Sequence, residues 1–383
     1  MQDLLLMMKD HVVMKINFDY GKYEVIDASR LPWSMRGRVV RVPGYEEVHS
    51  HYDDVQRTVA MRKCDEAVTS FLTNRVLPLS RDNAKKLYQL FNFEQSQGVE
   101  QRMKIALMCR AVSLQDNYWV KLEGDSVTWD DVNLRTNSLS EVVAQVALHG
   151  TSLSMQGSLN TPELTGQGAY AKAWKREDGK LWLYKTGAKD PTESRIEVMV
   201  SGLLDKCNVK HVKYEAGESQ GVYCCKCACM TTDSKSILTA LDFSTYCNAN
   251  GLNFYEEVMK IDAESIYKMW IVDYLIANRD RHGLNWGFYY NSETMKLIGC
   301  HPLFDHNNSF DKDYMMNPDM PYLFDSRYTM RQAAMLAMQK VDFHFTAEIV
   351  RKDFITDRQY MCFMNRAREL GITTKLQKVN AFK

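Results

Sequence analysis

Apolar side chains at Ile266, Met269, Trp270, Val272, Leu275 and Ile276 recur at helical spacing, so a largely buried helix is predicted to run up to Asn278. The next eight residues, Asn278-Arg279-Asp280-Arg281-His282-Gly283-Leu284-Asn285, lose that period and read as a loop. Beyond them, Trp286 to Tyr290 is rich in strand formers and Asn291-Ser292 supplies turn chemistry. Leu297-Ile298 then opens a second short strand that ends near Leu303-Phe304. A hairpin of that size folds Asp305 back beside Asp280 and Asn285. Two carboxylates and an amide around one hairpin form a set suited to magnesium and a triphosphate. In phosphoryl transfer one Asp orients the attacking hydroxyl, while an Asn and a later Asp ligate metal. The competing reading is that Asp280 and Asn285 only cap turns, as Asp and Asn do for local hydrogen-bonding reasons.

Phosphoryl transfer also needs a positioned cation, N-terminal to such a loop. Leu181-Trp182-Leu183-Tyr184-Lys185 is a short apolar strand ending in lysine, and Glu193 to Leu204 carries Ile196, Val200, Leu203 and Leu204 at helical spacing. Glu197 shares a stripe with Val200 and Leu204, faces the sheet, and is the expected partner of Lys185, with Glu193 one turn earlier as the alternative. Without the loop downstream, Lys185 reads only as a solvated strand end. Leu164 to Trp174 reads as a strand-turn-strand whose amides near Gly166 and Gly168 lie over nucleotide phosphates, or as an ordinary hairpin turn. Glu177-Asp178-Gly179-Lys180 is a turn.

The pattern Asn278, Asp280, His282, Asn285, then Phe304-Asp305 resembles the catalytic segment of the HipA-like branch of the protein-kinase-like fold, Asn-x-Asp-x-His-x-x-Asn followed by Tyr/Phe-Asp, with every fixed position filled. Phosphoinositide and other atypical kinases carry a related Asp-Arg-His-x-x-Asn, so the octapeptide marks a superfamily better than a substrate. The run from Ser113 to Val120, followed by Trp129, resembles the N-terminal extension of HipA-like proteins from Gram-positive bacteria and their mobile elements.

The resemblance implies an α+β, two-lobed protein-kinase-like fold: an accessory domain over 1–150, a small β-rich lobe over 151–235 and a helical lobe over 236–383. It implies ATP and magnesium as cofactors and a Ser or Thr hydroxyl, on the chain itself or on a protein substrate, as acceptor. Asp280 is expected to orient that hydroxyl, Asn285 and Asp305 to hold magnesium, Lys185 to bind phosphate and Glu197 to fix the lysine. His282 and Asn278 are expected to brace the loop, and Asn307 and Asn308 to form a turn. Ser158, Thr161 and Thr165 are the hydroxyls placed for autophosphorylation. An antitoxin-like regulator is the expected partner. A lipid or small-molecule kinase of the same fold, and a non-catalytic nucleotide- or partner-binding protein, remain as alternatives.

Cys224, Cys225, Cys227 and Cys229 fall close together, but a zinc site wants a second pair at matching spacing. Gly221 to Met230 reads instead as a strand with Tyr223, Cys225, Cys227 and Cys229 on one face. In a kinase-like lobe it leads to the hinge, where Cys229, Met230 and Thr231 are expected to line the adenine pocket. With 48 basic and 48 acidic residues the chain has no strong attraction for nucleic acid or anionic membrane, so direct DNA binding is not expected. Arg36, Arg38 and Arg41 are followed by Glu46, Glu47, Asp53 and Asp54, a mixed solvated surface. The apolar run Leu4 to Met8 is flanked by Asp3 and Asp10 and is not a secretion signal; with no run long enough to span a bilayer, a cytoplasmic protein with reduced cysteines is expected. Val12 to Ile16 and Tyr23 to Ile26 alternate as a small antiparallel sheet, Val55 to Leu90 reads as helices broken at Pro78, and Arg331 to Lys383 reads as helix-rich.

Overall fold

The computed structural model describes residues 2–151, 159–165, 168–186 and 191–373. Its strands form three antiparallel sheets. The first contains β1 (Leu4–Met8), β2 (His11–Asn17), β3 (Lys22–Val25) and β4 (Tyr118–Leu122) in the order β3-β2-β1-β4. The apolar run that carried no strand prediction is thus a central strand, and the reason is that both of its faces are covered. Leu4, Leu6 and Met8 enter the main core, whereas Leu5 and Met7 pack with Trp119 and Trp129. Burial on both faces removes the alternation that betrays a half-exposed strand. The helix His51–Thr73, capped by Ser50, contributes Cys64, Val68 and Leu72 to the same core.

The second sheet holds β5 (Ala171–Glu177), β6 (Lys180–Thr186), β7 (Glu215–Ser219) and β8 (Val222–Ala228) in the order β5-β6-β8-β7. The β5–β6 turn is the expected one, with Asp178 and Gly179 at φ +48° and +75°. Two positive φ values at adjacent turn positions match the right-handed twist of the paired strands. The strand-turn-strand expected from Leu164 is not found. Pro162–Thr165 is a short helix, and pairing begins only at Ala171. Proline at the first helical position costs no hydrogen bond and presets φ, which favours the turn of helix over a strand.

The third sheet, order β11-β10-β9, consists of β9 (Lys235–Thr239), β10 (Gly287–Asn291) and β11 (Leu297–Cys300). The stretch expected to be a helical lobe therefore carries this small sheet beside helices Ala240–Ala249, Phe254–Leu275, Met330–Met338 and Asp357–Glu369. The predicted hairpin forms, but pairing stops at Cys300 rather than near Leu303. The chain beyond bends away so that Val212 N–H donates to the Leu303 carbonyl at 2.8 Å. One hydrophobic cluster runs from Leu6 and Val68 through Val200 and Leu238 to Trp270 and Phe363. No helix among the described residues is long and apolar enough to cross a membrane.

Candidate active site

The helix Phe254–Leu275 ends in an apolar environment with one fully buried carboxylate, Asp273. Asp273 accepts from Arg281 Nη2 at 2.8 Å, Arg281 Nε at 3.0 Å, Asn278 Nδ2 at 2.9 Å and the Tyr322 hydroxyl at 2.7 Å. Arg281 Nη1 donates onward to the carbonyls of Asn285 at 2.7 Å and Phe304 at 3.1 Å. A buried ion pair costs desolvation unless its remaining donors and acceptors are matched, and here both Asp273 oxygens accept and each of the three Arg281 nitrogens donates. The pair fastens the helix end to both ends of the loop-hairpin unit.

Within the loop, Asn278 Oδ1 accepts from Asp280 N–H at 3.1 Å, and Asn285 Nδ2 donates to the Asp280 carbonyl at 2.8 Å. The Asn285 amide is thereby oriented, leaving its oxygen as an acceptor. His282 Nδ1 accepts from Leu284 N–H at 3.2 Å, the bracing role expected of it, and its Nε2 stands 3.7 Å from Asp280 Oδ1. Asp280 Oδ2 accepts from Asn308 Nδ2 at 2.9 Å, and Asn308 Oδ1 accepts from the Tyr170 hydroxyl at 3.1 Å. Asn308, read from sequence as a turn residue, therefore links the loop aspartate to the entrance of β5.

On the facing sheet, Lys185 Nζ lies 2.7 Å from Asp305 Oδ1, 3.1 Å from the Tyr214 hydroxyl and 3.4 Å from Glu197 Oε2. Glu197, completely buried, also accepts from His306 N–H at 2.8 Å, so it ties the lysine to the chain after Asp305. Glu197, the partner expected from the stripe, is the glutamate within reach of Lys185, and Glu193 lines the same cleft beside Tyr170 and Thr186. Asp305 sits at φ +61°, a left-handed conformation that Asp tolerates better than most residues and that turns its carboxylate toward the lysine. Burial pushes the Asp305 carboxyl up, but Lys185 and Lys172 outweigh it and bring it down to about 2. Burial disfavours the Lys185 ammonium, yet Asp305 and Glu197 hold it well above its ordinary value. Burial, against the pull of Lys185, raises Glu197. Two acids share one ammonium: the nearer one, Asp305, is held down, and the fully buried Glu197 is pushed up.

The expected phosphate and adenine residues are less uniformly placed. Gly168, at φ +104°, presents its carbonyl to Arg81 Nε at 3.0 Å; Gly166 and Ser158 lie outside the described residues. Thr161 and Thr165 are buried, and the Thr161 hydroxyl donates to Glu163. Met230 packs with Leu183, Cys227 and Phe304, adjacent to Asp305, and its carbonyl accepts from the Tyr289 hydroxyl at 3.0 Å. Cys229 packs on the opposite cluster, with Trp119, Trp129 and Leu181, so the two neighbours do not share one apolar surface. Cys225 and Cys227 pack as small hydrophobes, with thiols pushed up by burial.

Sequence reasoning missed Asp273, Arg281 and Tyr214. Arg281 lay in plain view inside the octapeptide, and a lone carboxylate within an apolar helix is itself a signal of a buried partner. Tyr214 carried none.

A strand lysine held between a helix glutamate and an aspartate that is tied through the preceding residue to a loop carrying an Asp-Asn pair fits a kinase-like two-lobed architecture. No protein-family model matches the sequence, and no curated protein is similar to it in sequence. Among solved structures the chain is similar to HipA of Shewanella oneidensis, determined with HipB and its operator DNA. The TM-score is 0.53 at 11% identity, covering 96% of this chain and 98% of that one. It is also similar to the Helicobacter pylori proinflammatory kinase CtkA, with a TM-score of 0.35 at 14% identity, over 56% of this chain and 84% of that one. The chain has a HipA-like kinase fold.

Proposed function

We propose that this protein is an ATP- and magnesium-dependent HipA-like kinase that transfers the γ-phosphoryl group to a Ser or Thr hydroxyl, on itself or on a protein substrate. The observation that carries the reading is the single cluster formed by Lys185, Glu197, Tyr214 and Asp305, with Phe304 joined through Arg281 to the Asp280–Asn285 loop. The donor set fits the implied group. Asp305 is ionised over the whole physiological range, the Asn285 amide oxygen is an oriented neutral acceptor, and hard oxygen ligands of this kind suit magnesium. In this reading Asn285 and Asp305 hold the ion, which neutralises phosphate charge when bound.

Asp280 orients the acceptor hydroxyl and takes its proton as the oxygen–phosphorus bond forms and the bridging bond to ADP breaks. Asn308 holds the Asp280 carboxylate toward the acceptor. Lys185 neutralises charge on the phosphate oxygens, and Glu197 keeps the lysine from collapsing onto Asp305 alone. We further read an antitoxin-like protein as the regulatory partner. The Shewanella HipA structure contains HipB and operator DNA, and the balanced charge of this chain, 48 against 48, leaves DNA contact to such a partner.

Incubating the full chain with labelled ATP and magnesium, followed by mass-spectrometric mapping, tests the proposal. Label on Ser or Thr in wild type and none in Asp280→Ala is expected. Incorporation that persists in Asp280→Ala sinks the assignment, and label appearing only in an added lipid or metabolite moves the substrate away from protein.

A further inference from the structure

Two sheets carry the site, and one stretch of chain joins them. β8 pairs with β6 so that Cys225 lies opposite Lys185, and β9 pairs with β10 so that Thr239 lies opposite Gly287, just past Asn285. The connector from β8 to β9, residues 229–234, thus runs from the sheet of the lysine to the sheet of the loop. Side chains of the N-terminal portion hold it. Arg135 Nη2 donates to the Thr231 hydroxyl and to the Leu114 carbonyl, each at 3.0 Å, and its Nη1 donates to Asn117 Oδ1 at 2.9 Å. Asn117 Nδ2 donates in turn to the Asp233 carbonyl at 2.8 Å, and the Thr231 hydroxyl donates to the Leu114 carbonyl. From the other side, the Tyr289 hydroxyl donates to the Met230 carbonyl at 3.0 Å.

A guanidinium only donates, and that fixes every polarity in this network. Asn117 must turn its oxygen to Arg135 and therefore its amide hydrogens to Asp233. The Thr231 hydroxyl accepts from Arg135, so its own hydrogen goes to Leu114. Asn117 and Thr231 are both buried, so removing the guanidinium leaves matched groups unmatched where water does not reach them easily. Arg135 is itself held: its N–H donates to Asn133 Oδ1 at 3.0 Å, and its carbonyl accepts from Arg176 Nη2 of β5 at 2.9 Å. We propose that Arg135 is a positioning residue: it fixes the connector, and through it the spacing between Lys185 and the loop of Asp280 and Asn285, so that the N-terminal portion holds the site ready for nucleotide. The nucleotide rests on the kinase reading, whereas the pinning of the connector does not.

Amide hydrogen exchange and nucleotide binding on the full chain test this. The Thr232, Lys235 and Ile237 amides donate to the carbonyls of Lys235, Thr232 and Gln115. In Arg135→Met they should exchange ~10-fold or more faster, with the Phe254–Leu275 helix unchanged, because losing charge-assisted bonds opens the connector locally. A non-hydrolysable ATP analogue with magnesium should bind ~3- to 10-fold more weakly, since only part of the ligand-free chain then has the competent spacing. Bound nucleotide restores that spacing, so single-turnover label transfer at saturating ATP should stay within about threefold of wild type. Arg135→Lys keeps the charge but not the fork and should track Arg135→Met. Thr231→Val removes one arm of the network, and the double variant should lose little more affinity than Arg135→Met alone. Unchanged exchange at the connector, or an equal acceleration in the Phe254–Leu275 helix, overturns the proposal. So does unaltered binding of the analogue, full recovery by lysine, or a rate at saturation that falls as far as in Asp280→Ala. Should Arg135→Met not fold, the same exchange and affinity readings on Thr231→Val decide. A wild-type chain that neither binds the analogue nor transfers label, while exchange at the connector still depends on Arg135, sinks the kinase reading and the nucleotide part of the proposal with it, and leaves the pinning standing.

Discussion

Asp273 is the side chain on which the loop geometry most depends, because four donors from Arg281, Asn278 and Tyr322 converge on it in a fully buried position. Asp273→Asn leaves the Arg281 guanidinium buried with no counter-charge, a change that typically costs about 3–5 kcal/mol. Urea unfolding should show that loss, and a cost below about 1 kcal/mol would show that the pair is not the fastening described. Glu197→Gln keeps an acceptor for His306 N–H but removes a charge from Lys185. A ~10- to 100-fold fall in phosphotransfer rate is expected with little change in melting temperature, read by single-turnover labelling. Two further groups set the pH response. Burial lowers His301 to about 4 and His306 well below its ordinary value, so between pH ~6.5 and ~4 the unfolded chain takes up protons that the folded one refuses. Stability should therefore fall as pH drops through that window, by on the order of 3 kcal/mol for His301. Asp305, held down to about 2, acts in the next window: its contribution is complete above the ordinary carboxylate value and is lost as pH falls toward 2. Denaturant midpoints that stay level from pH 7 to pH 4 would contradict both histidine assignments.

At the scale of elements, the parts that could be read from sequence are those whose signal is local. The helix before Asn278, the β10–β11 hairpin, the lysine strand and the glutamate helix each carry their own period, and their order along the chain was enough to bring Lys185, Glu197, Asp280, Asn285 and Asp305 into one region. What stayed hidden depends on contacts between distant segments. Lys172 carries no signal of its own in the sequence, and only the β5–β6 register places it opposite Lys185. Leu4–Met8 hid because its two faces serve two clusters, and the Gly168 turn was misjudged because a proline-started turn of helix replaced the first strand. The kink in the long helix is another such contact. Asp262 leaves helical geometry at φ −160° and ψ 72°, its Oδ1 accepts from Ser265 N–H at 3.1 Å as a cap, and its Oδ2 accepts from Cys300 N–H at 3.0 Å. One carboxylate thus restarts the helix and holds β11. Asp262→Ala removes both bonds and should cost roughly 1–2 kcal/mol, with amide exchange speeding up at Ser265 and Cys300; exchange that is unchanged at Cys300 would remove the strand from this account.

For the molecule as a whole, the segment before residue 150 and the kinase-like portion are continuous in the physical sense. Leu77 N–H donates to the Leu164 carbonyl at 2.7 Å, Asp82 N–H to the Ala169 carbonyl at 2.8 Å, and Ile237 N–H to the Gln115 carbonyl at 2.9 Å. Arg81, from the same N-terminal segment, holds the Gly168 carbonyl at the turn above Lys172. These bonds sit on a hydrophobic cluster that passes from Val68 and Leu77 through Leu164 and Ala173 to Leu238 without a polar break. Domains that fold alone meet across smaller, more polar interfaces and move against each other by default. An N-terminal portion that shares its core and clasps the Gly168 turn is expected to unfold together with the rest as one cooperative unit, although it contributes no residue to the loop. Heating should accordingly give one transition, with far-ultraviolet and tryptophan signals coincident and the calorimetric enthalpy equal to the van't Hoff value. Trp119 and Trp129 report the N-terminal core while Trp270 and Trp286 report the C-terminal one. Two separable tryptophan transitions would show that the shared core does not couple the halves.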